Sequence, residues 1–401
     1  MKLVEIPKNK YDEYRLDIIF NCYKWDPQFL DNNTIAKYVL VLSKEEHEEV
    51  KRLTEAVDKE TITAEEFINN NLEIAKPLAL HKKIYKELKR MTNYDKEKHI
   101  RLMRYDFHPT NKGWEISEVN SDVPGGFAES SLMPEVAKNV LDNDQYDFIN
   151  FGNNITKAIK KKVKKNGNIM MVHCTSYSDD RQVMQYLGDK LAKEGFNIIY
   201  GAADHIHFKD KQAYSILDSK ECELDGIFRF TPLEWLKDIK PKYWDGYFDT
   251  ITPSCNHPIA IFAQTKRFPL IWEDLEENGI DLTYWRKLLP DTKEVKDAKN
   301  LKGYIYKPAC GRVGEGISIK EACIDDELND ILKSVKKYPK DYLAQKKFKS
   351  IPLKGKDGKE YHVCLGSYTV DGKHSGYYAR ISNVPRIDSN AADIPVLIER
   401  D

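Results

Sequence analysis

Two short stretches of the 401-residue chain place chemically capable side chains at regular spacing. Arg104 and Asp106 are two apart, and so are Glu118 and Asn120. On β-strands each pair shares one face, because successive side chains alternate. The runs around them, RLMRYDFHPT and WEISEVN, flank a Pro/Asn/Gly turn and predict a hairpin. If paired residue numbers sum to an even value, all four side chains lie on one face; a one-residue slip separates the pairs. Two carboxylates and an amide oxygen form the hard set that Mg²⁺ prefers, with phosphates and water completing the octahedron. The arginine suits a phosphoryl oxygen and charge that develops during transfer. The same spacing also fits the wet face of an ordinary antiparallel hairpin. Trp114 and Ile116 share the parity of Glu118 and break the alternation.

A second group follows an apolar run: Lys307, then Gly311, Arg312, Gly314 and Gly316. A lysine at a strand end reaches nucleotide phosphates, and the glycines let a loop fold closely over them and offer backbone N–H groups. The order G-x-x-G-x-G is neither a P-loop nor a dinucleotide fingerprint. Taken alone it fits a flexible hairpin loop equally well.

The elements that must position these residues form a mixed pattern. The first 85 or so residues read as largely helical, and residues 168–200 as strand, helix, strand with Gly195 at the helix C-cap. That unit predicts parallel pairing across a helical crossover. YIYKPACGRVGEGISIK reads as strand, glycine-rich loop, strand, and VCLGSYTVDGKHSGYYARIS as a hairpin turning at Asp371-Gly372. The order predicts an α/β (α+β) chain whose catalytic domain is interrupted by a smaller insert. Net charge is −1, which gives no global field for nucleic acid or an anionic membrane. No run approaches the roughly 20 apolar residues of a membrane span. The N-terminus lacks the apolar core of a signal peptide, and the seven cysteines are scattered with no C-x-x-C pair. Together these predict a cytoplasmic protein with reduced thiols.

Combined, the motifs resemble the synthetase domain of the glutathionylspermidine synthase family. They are Arg104-x-Asp106, Glu118-x-Asn120-x-Asp122-x-Pro124 and Lys307-Pro308-x-x-Gly311-Arg312-x-Gly314. The segments Phe228 to Trp235 and Asn256-His257-Pro258 through Lys266 also match, and the likeness extends into the N-terminal helices. This resemblance implies an ATP-grasp fold, circularly permuted so that the metal-binding strands precede the ATP-binding lysine, with a pre-ATP-grasp-like insert. The expected division is an N-terminal helical segment (1–85), a first ATP-grasp part (86–150), a small α/β domain (151–240) and a second ATP-grasp part (241–401). The resemblance further implies that Asp106, Glu118 and Asn120 hold Mg²⁺ and that Lys266 and Lys307 grip ATP. The loop with Gly311, Arg312, Gly314 and Gly316 would close over the phosphates, and Gln345 would lie near the adenine. Arg104 and Arg380 would stabilise the transferring phosphoryl group.

The activity it implies is ATP- and Mg-dependent joining of a small, peptide-like acid to an amine through an acyl phosphate, with no nucleic-acid or membrane partner. The family usually has a hydroxyl residue after the Asp of this motif, placed to contact glutathione. Here Val123 follows Asp122, which counts against glutathione as the acid. Two other readings stay open: a phosphotransferase on the same scaffold, and a non-catalytic nucleotide-binding protein. His205-x-His207, His173-Cys174 and the lysine run of KAIKKKVKKNG read as incidental, structural and solvated respectively.

Overall fold

The computed structural model describes residues 1–92, 94–217, 221–298, 302–311 and 314–400. The principal elements begin with strand β1 (Lys2–Glu5), helix α1 (Tyr11–Asn21), strand β2 (Tyr38–Leu42) and helix α2 (Lys44–Asn70). A hairpin of β3 (Leu102–Thr110) and β4 (Gly113–Asn120) follows, then helices α3 (Met133–Leu141) and α4 (Phe151–Lys162). The middle of the chain holds β5 (Asn168–Val172), α5 (Ser178–Lys193), β6 (Asn197–Gly201), β7 (Gly226–Arg229) and β8 (Ser254–Cys255). Next come β9 (Thr292–Glu294), β10 (Tyr304–Pro308), α6 (Asp325–Lys337) and β11 (Tyr342–Lys346). The chain closes with β12 (Glu360–Val370), β13 (Lys373–Ser382), β14 (Ala392–Ile394) and β15 (Val396–Glu399).

The central sheet has the order β14-β13-β12-β3-β4 and is antiparallel throughout. It joins the 101–120 hairpin to the C-terminal one, whose turn places Asp371 and Gly372 at φ of 48° and 81° as a tight primed turn requires. One face packs on α2. Ser43 caps that helix, its side chain accepting from the Glu46 amide while Glu46 reaches back to the Ser43 amide. Val50, Leu53, Val57, Ala64 and Ile68 recur at helical spacing and meet Met103, Tyr105, Leu365 and Ala379 in one core. Polar pairs cross the same interface: Thr54 donates to Ser367 at 2.8 Å, and Tyr105 donates to Asp58 at 3.2 Å.

Strands β8-β7-β5-β6 form a parallel sheet, with α5 crossing between β5 and β6. Gly195 ends that crossover helix at φ 93°, a conformation that glycine adopts without strain. One of the groups that tie this sheet to the central one is an amide; the Arg229–Asp122 ion pair is another. The buried Asn256 side chain accepts from the Leu102 N–H at 2.7 Å and donates to the carbonyls of Leu102 (2.8 Å), Asp122 (2.9 Å) and Ser121 (3.1 Å). It thus clamps both ends of the β3–β4 hairpin. A third sheet, β9-β11-β10, carries α6, which buries Ile331 and Val335 against Val295. A fourth pairs β1, β2 and β15, with residues 146–147 at its edge.

Two expectations change. The first 85 residues are not only helical, since β1 and β2 build the fourth sheet. The segment after the glycine-rich loop runs beside β10 but is no strand: Ser318 exchanges bonds with Tyr306, and Ile319 then turns back on Ile317. Among the described residues, no helix is long and apolar enough to cross a membrane. All seven cysteines are free thiols.

Candidate active site

Register decides which face of the β3–β4 hairpin carries the chemistry. Arg104 pairs with Asn120 and Asp106 with Glu118, so these four side chains share a face. Beyond them the register slips: Phe107 pairs with Ile116, leaving Ser117 as the extra residue of a β-bulge. The bulge explains the broken alternation. It turns Ile116, which is fully buried, to the side of Phe107 while Glu118 stays on the side of Asp106. The same sheet face continues across β12 and β13, where Gly366 pairs with both Asp106 and Tyr378, and Cys364 pairs with Arg380. Asp393 on β14 lies opposite Arg380.

This face floors a cleft of about 1530 Å³. Arg104 forks onto Asp106, at 2.8 Å to Oδ1 and 3.2 Å to Oδ2, and donates to the Gly125 carbonyl at 2.9 Å. Asn120 donates to Asp106 Oδ2 at 3.0 Å. The Arg104 guanidinium also sits 5.0 Å over the Tyr378 ring. Two glycines make this packing possible. A Cβ on Gly366 would stand 2.7 Å from Arg104 Cδ and 2.9 Å from the Tyr378 carbonyl oxygen. One on Gly126, at φ 91°, would stand 2.6 Å from the Tyr378 ring.

The two lysines approach the hairpin from the other wall. Lys307, on β10, donates to the Ser117 carbonyl at 3.1 Å, at the bulge. Burial pushes its ammonium down to about 8, with the Lys266 charge adding to the shift and Glu118 opposing it. Lys266 makes an ion pair with Glu118 at 2.7 Å and donates to the Gly311 carbonyl at 2.8 Å. Burial alone would raise the Glu118 carboxyl, but the Lys266 charge and hydrogen bond outweigh it and hold the group low. A carboxylate is therefore kept ionised between two cations, at the junction of the hairpin and the glycine-rich loop.

Arg104, Asp106, Glu118 and Asn120 line the cleft, as do Lys307, Gly311, Gly314 and Arg380. Lys266 lies behind that wall, joined to it through Glu118 and Gly311. Arg380 is bound to the 388–393 segment, donating to the carbonyls of Asp388 (2.6 Å) and Ala391 (3.2 Å). Gly316, at φ 67°, is not among the residues that line the cleft. The Gln345 side chain lies on the sheet face of Ile305 and Lys307 but is buried there, donating to Thr292 at 3.1 Å, and is not among the residues that line the cleft. Arg312 falls outside the described residues. Asp122 serves structure: its carboxylate is buried against the Arg229 guanidinium and accepts from the Leu233 amide at 2.8 Å. Sequence reasoning missed Gly366, Tyr378 and Lys24, which also face the cleft floor or its end; a lone strand glycine and a lone lysine carry no spacing signal.

Among the described residues, no three His, Cys, Asp or Glu side chains gather into a preformed metal cage. Two carboxylates and an amide on one face, opposite Lys307, instead fit a divalent cation that draws its remaining ligands from phosphate and water.

The family model for the glutathionylspermidine synthase preATP-grasp matches residues 17–399. Among solved structures, a glutathione synthetase-like effector from Globodera pallida aligns over 97% of each chain at 14% identity and a TM-score of 0.62. The likeness to it is one of fold. A putative gamma-glutamylcysteine synthetase from Methylobacillus flagellatus aligns over 84% of this chain and 87% of its own, at 14% identity and a TM-score of 0.45. No curated protein matches the chain in sequence.

Proposed function

Because the chain belongs to the glutathionylspermidine synthase preATP-grasp family and has an ATP-grasp-like α/β fold, we propose that it is an ATP-dependent ligase that joins a small acid to an amine. The observation that carries this reading is the shared cleft. Arg104, Asp106, Glu118 and Asn120 lie on one face of the central sheet, with Lys307 and Gly311 opposite. In this reading Asp106, Glu118 and Asn120 hold Mg²⁺, which when bound screens the phosphate oxygens. Lys307 and Lys266 bind the ATP phosphates, and Gly311 and Gly314 let the loop backbone approach them closely.

The chain's own groups then act by position and charge. Arg104 sits over the Tyr378 ring and is anchored by Asp106 and the Gly125 carbonyl, so its remaining N–H surface meets the γ-phosphoryl group as a substrate carboxylate attacks. The carboxylate oxygen bonds to phosphorus, the bond to ADP breaks, and an acyl phosphate results. The amine attacks the acyl carbon, phosphate leaves, and a proton is released. Loop closure keeps water from the acyl phosphate. Val123 replaces the hydroxyl residue usual in the family at this point of the motif, which counts against glutathione as the acid.

The test is ADP formation from Mg-ATP across a panel of acids, with and without amines and with Glu118→Ala as control. Turnover that needs both an acid and an amine, and is lost in the variant, is the expected result. Turnover with an acceptor that is not a carboxylate and needs no amine would replace the ligase by a phosphotransferase. Absence of Mg-ATP binding in calorimetry would end the enzyme reading.

A further inference from the structure

At the end of the cleft away from Lys307 lies a lysine that the reaction above does not use. Lys24 is only 3% exposed. Its ammonium stands 2.7 Å from Asp26, 2.7 Å from Asp393 and 3.5 Å from Glu129. Burial opposes its charge, but the three carboxylates overcome that and hold it protonated. The segment that delivers it is fixed at both sides. The Trp25 amide donates to Gln182 at 3.1 Å, and Thr34 donates to the Asp26 carbonyl at 2.7 Å. Through Asp393 the cluster connects to the chemistry: Tyr378 donates to Asp393 at 2.7 Å, and the Tyr378 ring lies under Arg104.

Glu129 supplies a second, independent observation. It is 8% exposed and lines the cleft. One of its oxygens accepts from Gln182 at 2.7 Å, while the other, Oε2, is buried with no hydrogen-bond partner. A buried acceptor left without a donor is costly, so such an atom on a residue that lines a cleft marks where a ligand donor belongs.

We propose that Lys24 is a built-in cation that fills the acidic end of the cleft, leaving Glu129 Oε2 as the acceptor for a single N–H group of the amine substrate. This rests on the ligase reading for the name of the substrate, not for the site itself. Asp26, Glu129 and Asp393 outnumber Lys24 and Arg380 by one carboxyl, and burial with the neighbouring carboxylates raises Glu129 to about 7, so Glu129 is the carboxyl least compensated by a cation. One ammonium satisfies it. A second would face Lys24 in a medium that screens like charges poorly. Asp179 and Asp180 border this cluster in the first turn of α5, the first exposed and the second buried, where the helix N–H groups favour their charge. Lys24 is accordingly a specificity residue that selects against a distal second charge.

The discriminating measurement is calorimetric titration of the full chain, without ATP, using pentylamine and 1,5-diaminopentane, which differ in one charged end. Wild-type protein is compared with Lys24→Met and with the charge-balanced double variant Lys24→Met/Asp26→Asn. The expected result is that removing Lys24 shifts the ratio of diamine to monoamine affinity at least tenfold toward the diamine, and that Glu129→Ala weakens pentylamine binding at least tenfold. If Lys24→Met fails to fold, the double variant carries the comparison. A ratio unchanged within twofold in a folded variant overturns the proposal, as does failure of either amine to bind any of these proteins. The readout is binding alone, so loss of ADP formation with amine binding intact would refute the ligase and leave this site standing.

Discussion

Lys307 Nζ lies 3.1 Å from the carbonyl oxygen of Ser117, the residue that the hairpin register skips. A strand from the second half of the chain is thus bonded to the bulge that aims Glu118. The lysine does not pair with a carboxylate here. Its ammonium, buried and facing Lys266, is lowered to about 8 and remains available to an incoming polyanion.

Proton linkage follows from that placement. Phosphate binding favours the charged lysine, so the free protein above pH 8 must take up a proton on binding Mg-ATP. Affinity should be level below pH 7.5 and fall toward tenfold per unit once pH exceeds about 8. Calorimetry in two buffers of different ionisation enthalpy at pH 8.5 should report uptake of part of one proton. Lys307→Arg, which stays charged, should abolish both effects. A flat affinity profile in the wild-type protein would remove Lys307 from the phosphate site.

Glu118→Gln probes the ion pair with Lys266. The amide keeps the shape but loses the charge that holds Lys266 between the hairpin and Gly311. We expect turnover to fall at least 100-fold. Thermal stability should change by about 1–3 kcal/mol, since one charge of a partly buried pair is left alone. Differential scanning calorimetry and ADP assays on the same sample separate the two.

Gly366→Ala tests whether Arg104 needs its present seat. The new methyl would meet the Arg104 side chain and the Tyr378 carbonyl inside contact distance. Overpacking of this kind costs about 1–3 kcal/mol. Turnover should fall at least tenfold through displacement of the guanidinium, with ATP affinity nearly unchanged. Loss of affinity without loss of maximal rate would place Arg104 in ground-state binding instead.

Asp58 should give the fold a pH-dependent weakness. Burial raises its carboxyl to about 7, against hydrogen bonds from Thr369 and Tyr105 and the Arg101 charge. A carboxyl raised in the folded state costs stability as pH climbs from the unfolded value near 4 through 7. The loss approaches about 4 kcal/mol and levels off above that range. Asp58→Asn should flatten the profile, so urea melts at pH 5 and pH 8 should differ less in the variant than in the wild-type chain.

The sequence carried the hairpin, the shared face of its four polar residues and the Asp371-Gly372 turn, because period-two spacing and turn chemistry are local signals. It also carried the parallel unit around α5, where the helical run and Gly195 bound the crossover. The bulge at Ser117 was visible only as a flaw in the alternation, at Trp114 and Ile116, that spacing alone does not interpret. The resemblance puts Gln345 near the adenine; β11 pairs it with Ile305, on the sheet face that carries Lys307, where its side chain is buried against Thr292. Lys24 and Gly366 were illegible for another reason. Their roles arise from partners such as Asp393 and Arg104, hundreds of residues away, and nothing near them in sequence distinguishes them.

The Asn256 amide bears on how the cleft opens. Its four hydrogen bonds fasten the parallel sheet to both ends of the β3–β4 hairpin, so these two bodies turn together. The β9-β11-β10 sheet with α6 is held differently: Lys307 bonds it to the hairpin, while the Arg267–Glu294 and Arg386–Glu327 ion pairs bond it to the rest of the molecule. A bound polyanion would compete for Lys307 alone, so that wall of the cleft is loosened at one point while two ion pairs keep it in place.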